Sequence, residues 1–284
     1  MKITQTKSKW ATSRNANIFG SPLKPNAATE ERYKKQLDQI IELMFNDYNR
    51  QVKKLVTKEF KGYALDSSLA NQSSILMNYL SKKWYQRFTK VANAFIKIFI
   101  KQVDTNATKS LESSLKQLSG GITITPPKMP LSLQEKLQAH IKENVALIKS
   151  IPEEFHLKIE NSINRSIQQG LGTKDIYDTA LENMKQGKFN QEKRASLIAR
   201  LETAKVTSSI QLEKMKSVGI TKFRWRHSGG GFEPRKLHQD YDGKIFSFDD
   251  LPILDEKTGQ RGLPGTIWNC RCYLEPVIEF NQTS

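Results

Sequence analysis

Arg235-Lys-Leu-His238-Gln-Asp240-Tyr-Asp242-Gly243-Lys-Ile-Phe246, followed by Pro264-Gly265-Thr-Ile-Trp-Asn269-Cys270-Arg271-Cys272, is the stretch that organises this chain. It holds the only two cysteines among 284 residues, and two of the four histidines, His227 and His238, precede them closely. Soft ligands gathered in one short region imply a local construction: a metal site, a redox pair or a tight polar knot. Around it lie Phe223-Arg-Trp225-Arg, Lys244–Phe248 and Cys272–Ile278, short aromatic or β-branched runs separated by Gly, Pro and Asp. These predict strands of a small sheet.

Upstream of Gly219 the period changes from two to 3.6. Leu37, Ile40, Ile41, Met44, Tyr48 and Val52 recur at helical spacing up to a turn at Lys61-Gly62. Leu76, Leu80, Trp84, Phe88, Val91, Phe95 and Phe99 then form one apolar stripe on a long helix. Gly120-Gly121 to Pro130 breaks the pattern and reads as a linker. Beyond it, Ser132 with Glu135 makes a capping box. Pro152 suits the first turn of a further helix ending at Gly170. Gly172-Thr173 opens a short helix to about Met184, and Asn190 caps a last one over residues 191–217.

The fold class expected is therefore α+β, a mostly α-helical N-terminal body with a small C-terminal β-containing module. The divisions are a basic flexible arm at 1–28, a long-helix region at 29–120, a linker at 121–130, a helical lead-in at 131–219 and a small β-rich module at 220–284.

Charge supports that division. The net formal charge is +16, yet residues 221–284 hold nine basic and nine acidic side chains. The excess lies wholly in the first 220 residues, where 36 Lys and Arg face 20 Asp and Glu. Such a surface favours an anionic partner, whether nucleic acid, an acidic membrane face or an acidic protein; a solvated helical surface has the same composition. No run approaches the roughly 18 apolar residues of a membrane span. Two cysteines one residue apart make a poor structural disulfide, and the chain reads as intracellular.

Each chemical motif carries a bland alternative. Cys270 and Cys272 supply two zinc ligands, His238 is the best third, and Asp240 or His227 could be the fourth. Against this, Cys-x-Cys on a strand points its sulfurs to opposite faces unless a bulge intervenes; the alternative is a buried hydrogen-bonded knot. His238-x-Asp240-x-Asp242 with Asn269 could hold Mg²⁺ as a nuclease does, but Asp242-Gly243 is also a common hairpin turn. Ser228-Gly-Gly-Gly231 lacks the context of a phosphate loop and reads as a loop tip. Lys82-Lys83-Trp84-Tyr85-Gln-Arg87 interleaves bases with aromatics, as a nucleic-acid surface can, although Trp84 belongs to the apolar stripe. A thiolate–imidazole nucleophile from Cys270 or Cys272 with His238 lacks a group to orient the histidine.

Residues from about Phe189 to Ile278 together resemble the phage Mu F-like head-morphogenesis family, the minor head proteins of tailed phages and prophages. The resemblance rests on Arg194-Ala195-Ser-Leu-Ile198-Ala199-Arg200-Leu201-Glu202, then Gly219 and Trp225, then Arg235-x-x-His238 with Asp242-Gly243, and the closing Pro264-Gly265-x-x-x-Asn269-Cys270-Arg271-Cys272. Leu201 stands where the family usually has Thr. Family versions that look metal-binding often have Cys-x-x-Cys where this chain has Arg235-x-x-His238, and His or Cys where it has Thr266. The resemblance implies a non-enzymatic, low-copy structural protein that binds portal, capsid and scaffold proteins during procapsid assembly, with non-specific DNA as a further partner. Its place would be the virion, at the capsid interior or portal vertex, and the host cytoplasm during assembly. No cofactor is implied, zinc being the one the residues admit. Some members carry toxin or enzyme extensions; none is expected here.

Overall fold

A computed structural model describes residues 17–57, 68–126, 131–230 and 234–279. Their order is β1 (Asn17–Phe19), α1 (Ala27–Val56), α2 (Leu69–Leu118), α3 (Leu131–Gln168), α4 (Thr173–Ser217), β2 (Lys222–Arg226), α5 (Lys236–Asp240), β3 (Ile245–Ser247), β4 (Ile253–Asp255), β5 (Gln260–Arg261) and β6 (Tyr273–Glu279). The class is α+β, as the change of period predicts. Residues 1–16 of the basic arm, the Lys61-Gly62 turn, Gly231, and the linker's last four residues, 127–130, lie outside the described residues.

The chain divides into two compact units. One is all-helical and takes Glu31–Ile98 and Ile141–Ala199. Its core has helical spacing throughout: Leu37, Ile41, Met44, Tyr48 and Val52 on α1, and Ile148, Ile151, Phe155, Ile159 and Ile163 on α3, are all buried. On α2 the stripe runs through Leu80, Trp84 and Phe88 as read from sequence, but continues at Ala92 and Ile96, leaving Val91 and Phe95 half-buried. Alanine is small enough to sit at a close helix contact, where a reading weighted by side-chain size passes over it.

Polar groups are paired within this core. Asp47 accepts from Lys83 Nζ at 2.7 Å, from Arg50 at 2.8 Å and from the Trp84 indole N–H at 2.9 Å. The Tyr33 hydroxyl donates to Asn144 Oδ1 at 2.8 Å, and Tyr48 lies 3.1 Å from His156 Nδ1.

Two expected helix breaks are absent. Pro152 lies inside α3 and does not begin a helix. A proline in a helix interior costs about 3 kcal/mol, but Ile148, Ile151, Phe155 and Ile159 bury one continuous face across it. Asn190 likewise sits inside α4 and accepts from Gln186 one turn earlier. Nearby Gly187 packs against the Phe155 ring, which an added Cβ would meet at 3.1 Å. Ser132 is also inside its helix; its hydroxyl donates to Glu213 at 2.7 Å, so no capping box forms.

The second unit comprises Phe99–His140, Arg200–Ser284 and the residues up to Glu30. Its four-stranded antiparallel sheet has the order β1-β6-β2-β3. Phe223, Trp225 and Leu274 on the sheet pack with Leu111, Leu115 and Leu118 of α2 and Met215 of α4. Gly219, at φ 85°, turns α4 into the sheet, with the Ile220 N–H returning to the Met215 carbonyl.

The sheet also takes residues that sequence reading assigned to a flexible arm. Ile18 and Phe19 pair with Ile278 and Val277, and Leu23, 1% exposed, bridges to Leu274. Without these residues one edge of β6 would be unpaired, and Ile18, Phe19 and Leu23 are apolar enough to cover it. Gly20 permits the close approach, since a Cβ there would stand 2.2 Å from Ser114 Oγ.

Candidate functional site

The cysteines lie in an irregular loop before β6. Gly265 has a φ of 83° and Asn269 a φ of 61°, the one non-glycine with positive φ among the described residues. Asparagine tolerates this left-handed conformation better than most residues. The Cys270 N–H then bonds back to the Ile267 carbonyl at 3.1 Å. Off the strand, the two side chains are released from strand alternation, and both sulfurs reach the same imidazole. The objection drawn from strand geometry therefore does not apply.

That imidazole is His238, on the short helix α5. Its Nδ1 lies 3.4 Å from the Cys270 sulfur and 3.9 Å from that of Cys272. Its Nε2 donates to the Leu254 carbonyl at 3.0 Å. A carbonyl only accepts, so the proton is on Nε2, and in the neutral ring the Nδ1 lone pair faces the sulfurs. The Trp225 ring meets the imidazole edge-on with centroids 5.0 Å apart. His238, Cys270 and Cys272 are all buried, at 2%, 6% and 4% exposure.

The surroundings divide the two thiols. The hydrogen bond from Cys272, and after it His238 when the ring also carries a proton on Nδ1, hold the Cys270 thiol down to about 4, against the opposing effect of burial. Cys272 is pushed up, first because its proton is shared with the Cys270 sulfur and then by burial. The Trp225 indole and the Ser228 backbone N–H act on Cys272 in the other sense. That indole N–H is buried and has no partner at hydrogen-bond geometry, so its contact with the sulfur is a loose one.

The remaining motif residues support the loop or stand apart from it. Arg235 donates to the Trp268 carbonyl at 3.1 Å, and the Pro264 carbonyl accepts from Ser208 of α4 at 3.2 Å. Asp242 accepts from the His227 N–H and from Arg226, and Gly243, at φ 78°, returns its N–H to the Trp225 carbonyl. Asp240 and Arg271 are exposed, and Asp240 is not among the converging ligand atoms. His227 accepts from the Gly229 N–H in its own loop. On α4, Arg194 holds Glu154 and Ser150, Arg200 pairs with Glu30 at 3.5 Å, and Glu202 is fully buried 3.7 Å from Lys205.

The His238-x-Asp240-x-Asp242 triplet thus does not converge: one member is buried, one exposed and one tied to Arg226. Sequence reading also missed a buried anchor, Glu275, held by Arg224 and Arg226. Its signal lay in β2, where Arg224 and Arg226 alternate with apolar Phe223 and Trp225.

Residues 157–275 match the family model described as phage Mu protein F like protein. This stretch of the chain is similar to phage Mu protein F like proteins. The segment spans the second half of α3, all of α4 and the cysteine loop, and agrees with the head-morphogenesis resemblance read from the motifs. An uncharacterized protein of Haemophilus influenzae is 28% identical over 265 residues, 92% of this chain and 56% of that protein. The uncharacterized protein YqbB of Bacillus subtilis is 31% identical over 137 residues, 44% of this chain and 42% of its own. The chain spans about half the length of the curated relatives it matches. No solved structure matches.

Proposed function

We propose that this is a phage head-related protein and, more finely, a minor head protein that acts in procapsid assembly through contacts with portal and capsid proteins. The Mu F-like match over residues 157–275 carries the reading. Long helices offer extended faces for docking on an oligomeric ring. The 36 basic and 20 acidic residues of the first 220 suit a shell filled with DNA, where phosphate is dense. Its places would be the capsid interior or portal vertex, and the host cytoplasm during assembly. A binding role also agrees with sulfurs too deeply buried to reach a substrate.

Affinity purification of the tagged chain from infected or induced cells, with mass spectrometry of what accompanies it, tests this. Portal and capsid proteins should be recovered. Nucleic acid without capsid components would instead favour a DNA-binding protein, the second reading, which the basic groove lined by Lys82, Lys83, Arg87 and Lys90 on α2 motivates. In that case binding should weaken steeply with salt.

A further inference from the structure

We infer that His238, Cys270 and Cys272 form a zinc site. Their ligand atoms all lie within 4.8 Å of one another. In a tetrahedral zinc centre, with Zn–S of about 2.3 Å and Zn–N of about 2.0 to 2.1 Å, nitrogen and sulfur stand about 3.6 Å apart. The Nδ1 to sulfur distances of 3.4 and 3.9 Å straddle that value.

Three further observations point the same way. First, the imidazole is already oriented as a ligand. Its Nε2–H is spent on the Leu254 carbonyl, which leaves Nδ1 facing the sulfurs. A backbone carbonyl holding the far N–H is how metal-bound histidines are commonly fixed.

Second, hydrogen bonding alone satisfies the cluster poorly. The neutral ring offers one lone pair at Nδ1, which takes only one thiol proton and leaves the other to a sulfur, a weak acceptor. One cation would engage all three atoms. Two thiolates and a neutral imidazole also cancel the charge of Zn²⁺, leaving a neutral centre suited to burial.

Third, the Trp225 indole N–H is buried without a hydrogen-bond partner. A metal-bound thiolate at Cys272 gives it a stronger acceptor than a thiol does.

Binding would release the two thiol protons as the two Zn–S bonds form, and an exogenous ligand such as water would complete the tetrahedron. Asp240, exposed on α5, takes no part. The inference does not depend on the head-protein reading, since a zinc knot of this kind holds the loop to α5 whatever the protein docks on.

The test uses the full chain, purified under reducing conditions without chelator. Elemental analysis should find about one zinc per chain. Stripping the metal and adding Co²⁺ should yield a thiolate-to-cobalt charge-transfer band. Cys272→Ser and His238→Ala should lose the zinc, and Asp240→Ala should keep it. Because the first two variants remove buried side chains and can fail to fold, the wild-type readings decide. Less than about a tenth of an equivalent after dialysis against zinc overturns the site. A cobalt spectrum without the charge-transfer band does so as well, as does a Cys270–Cys272 disulfide in protein never exposed to oxidant.

Discussion

His238 Nδ1 stands 3.4 Å from the Cys270 sulfur, across 32 positions of sequence. The contact ties α5 to the loop that leads into β6, so the loop and helix should depend on each other for stability.

Cys270→Ser tests this dependence. The serine oxygen is smaller and a harder ligand, and it leaves the 6%-exposed position poorly filled. Thermal stability should fall by roughly 1–3 kcal/mol, with far-ultraviolet circular dichroism still reporting a folded helical body. An unchanged melting temperature would contradict the knot.

Gly265 should resist substitution more than glycines elsewhere. Its φ is 83°, and an added Cβ would stand 3.0 Å from the Cys272 carbonyl oxygen. Gly259 has a φ of 67° but nothing within 4 Å. Gly259→Ala should therefore cost about 1 kcal/mol from backbone conformation alone, and Gly265→Ala about 1–3 kcal/mol more from the added clash. Urea midpoints compare them, and equal costs would remove the steric argument.

In the all-helical unit, Asp47→Ala should destabilise by about 2–4 kcal/mol. It strips the Trp84 indole N–H and Lys83 of their shared acceptor while both remain packed. Lys83→Met, which removes only the more exposed partner, should cost less. Chemical denaturation of both variants gives the order, and the reverse order would refute it.

His156 predicts a pH dependence. Burial pushes it below its ordinary 6.5, with the Glu160 carboxylate opposing. Its neutral Nδ1 can accept the Tyr48 hydroxyl. A base with a depressed folded pKa contributes stability that is present above 6.5 and is lost as pH falls through the folded value. Wild type should thus lose stability on acidification from about pH 7 to 5 more steeply than His156→Gln. Parallel pH profiles for the two would show that His156 does not titrate in this way.

Much of the helical body is legible because buried positions on α1 repeat at the helical period from Leu37 to Val52. Where legibility ends, the cause is long-range packing. Pro152 and Asn190 carry local signals for helix boundaries, and both are overridden because apolar faces continue past them. Ile18 and Phe19 look like part of a polar arm until the edge of β6 that they pair with, some 260 residues later, is in place.

The sequence by itself determined the helical and sheet periods, the confinement of both cysteines to one loop, and the motif order that the phage Mu protein F like match covers. Only the tertiary structure decided which side chains meet. Asn269 in a left-handed conformation and α5 pinned to Leu254 bring His238 to both sulfurs and leave Asp240 outside. Spacing along a chain limits reach, whereas the direction of each side chain depends on backbone torsions and on partners far away in sequence.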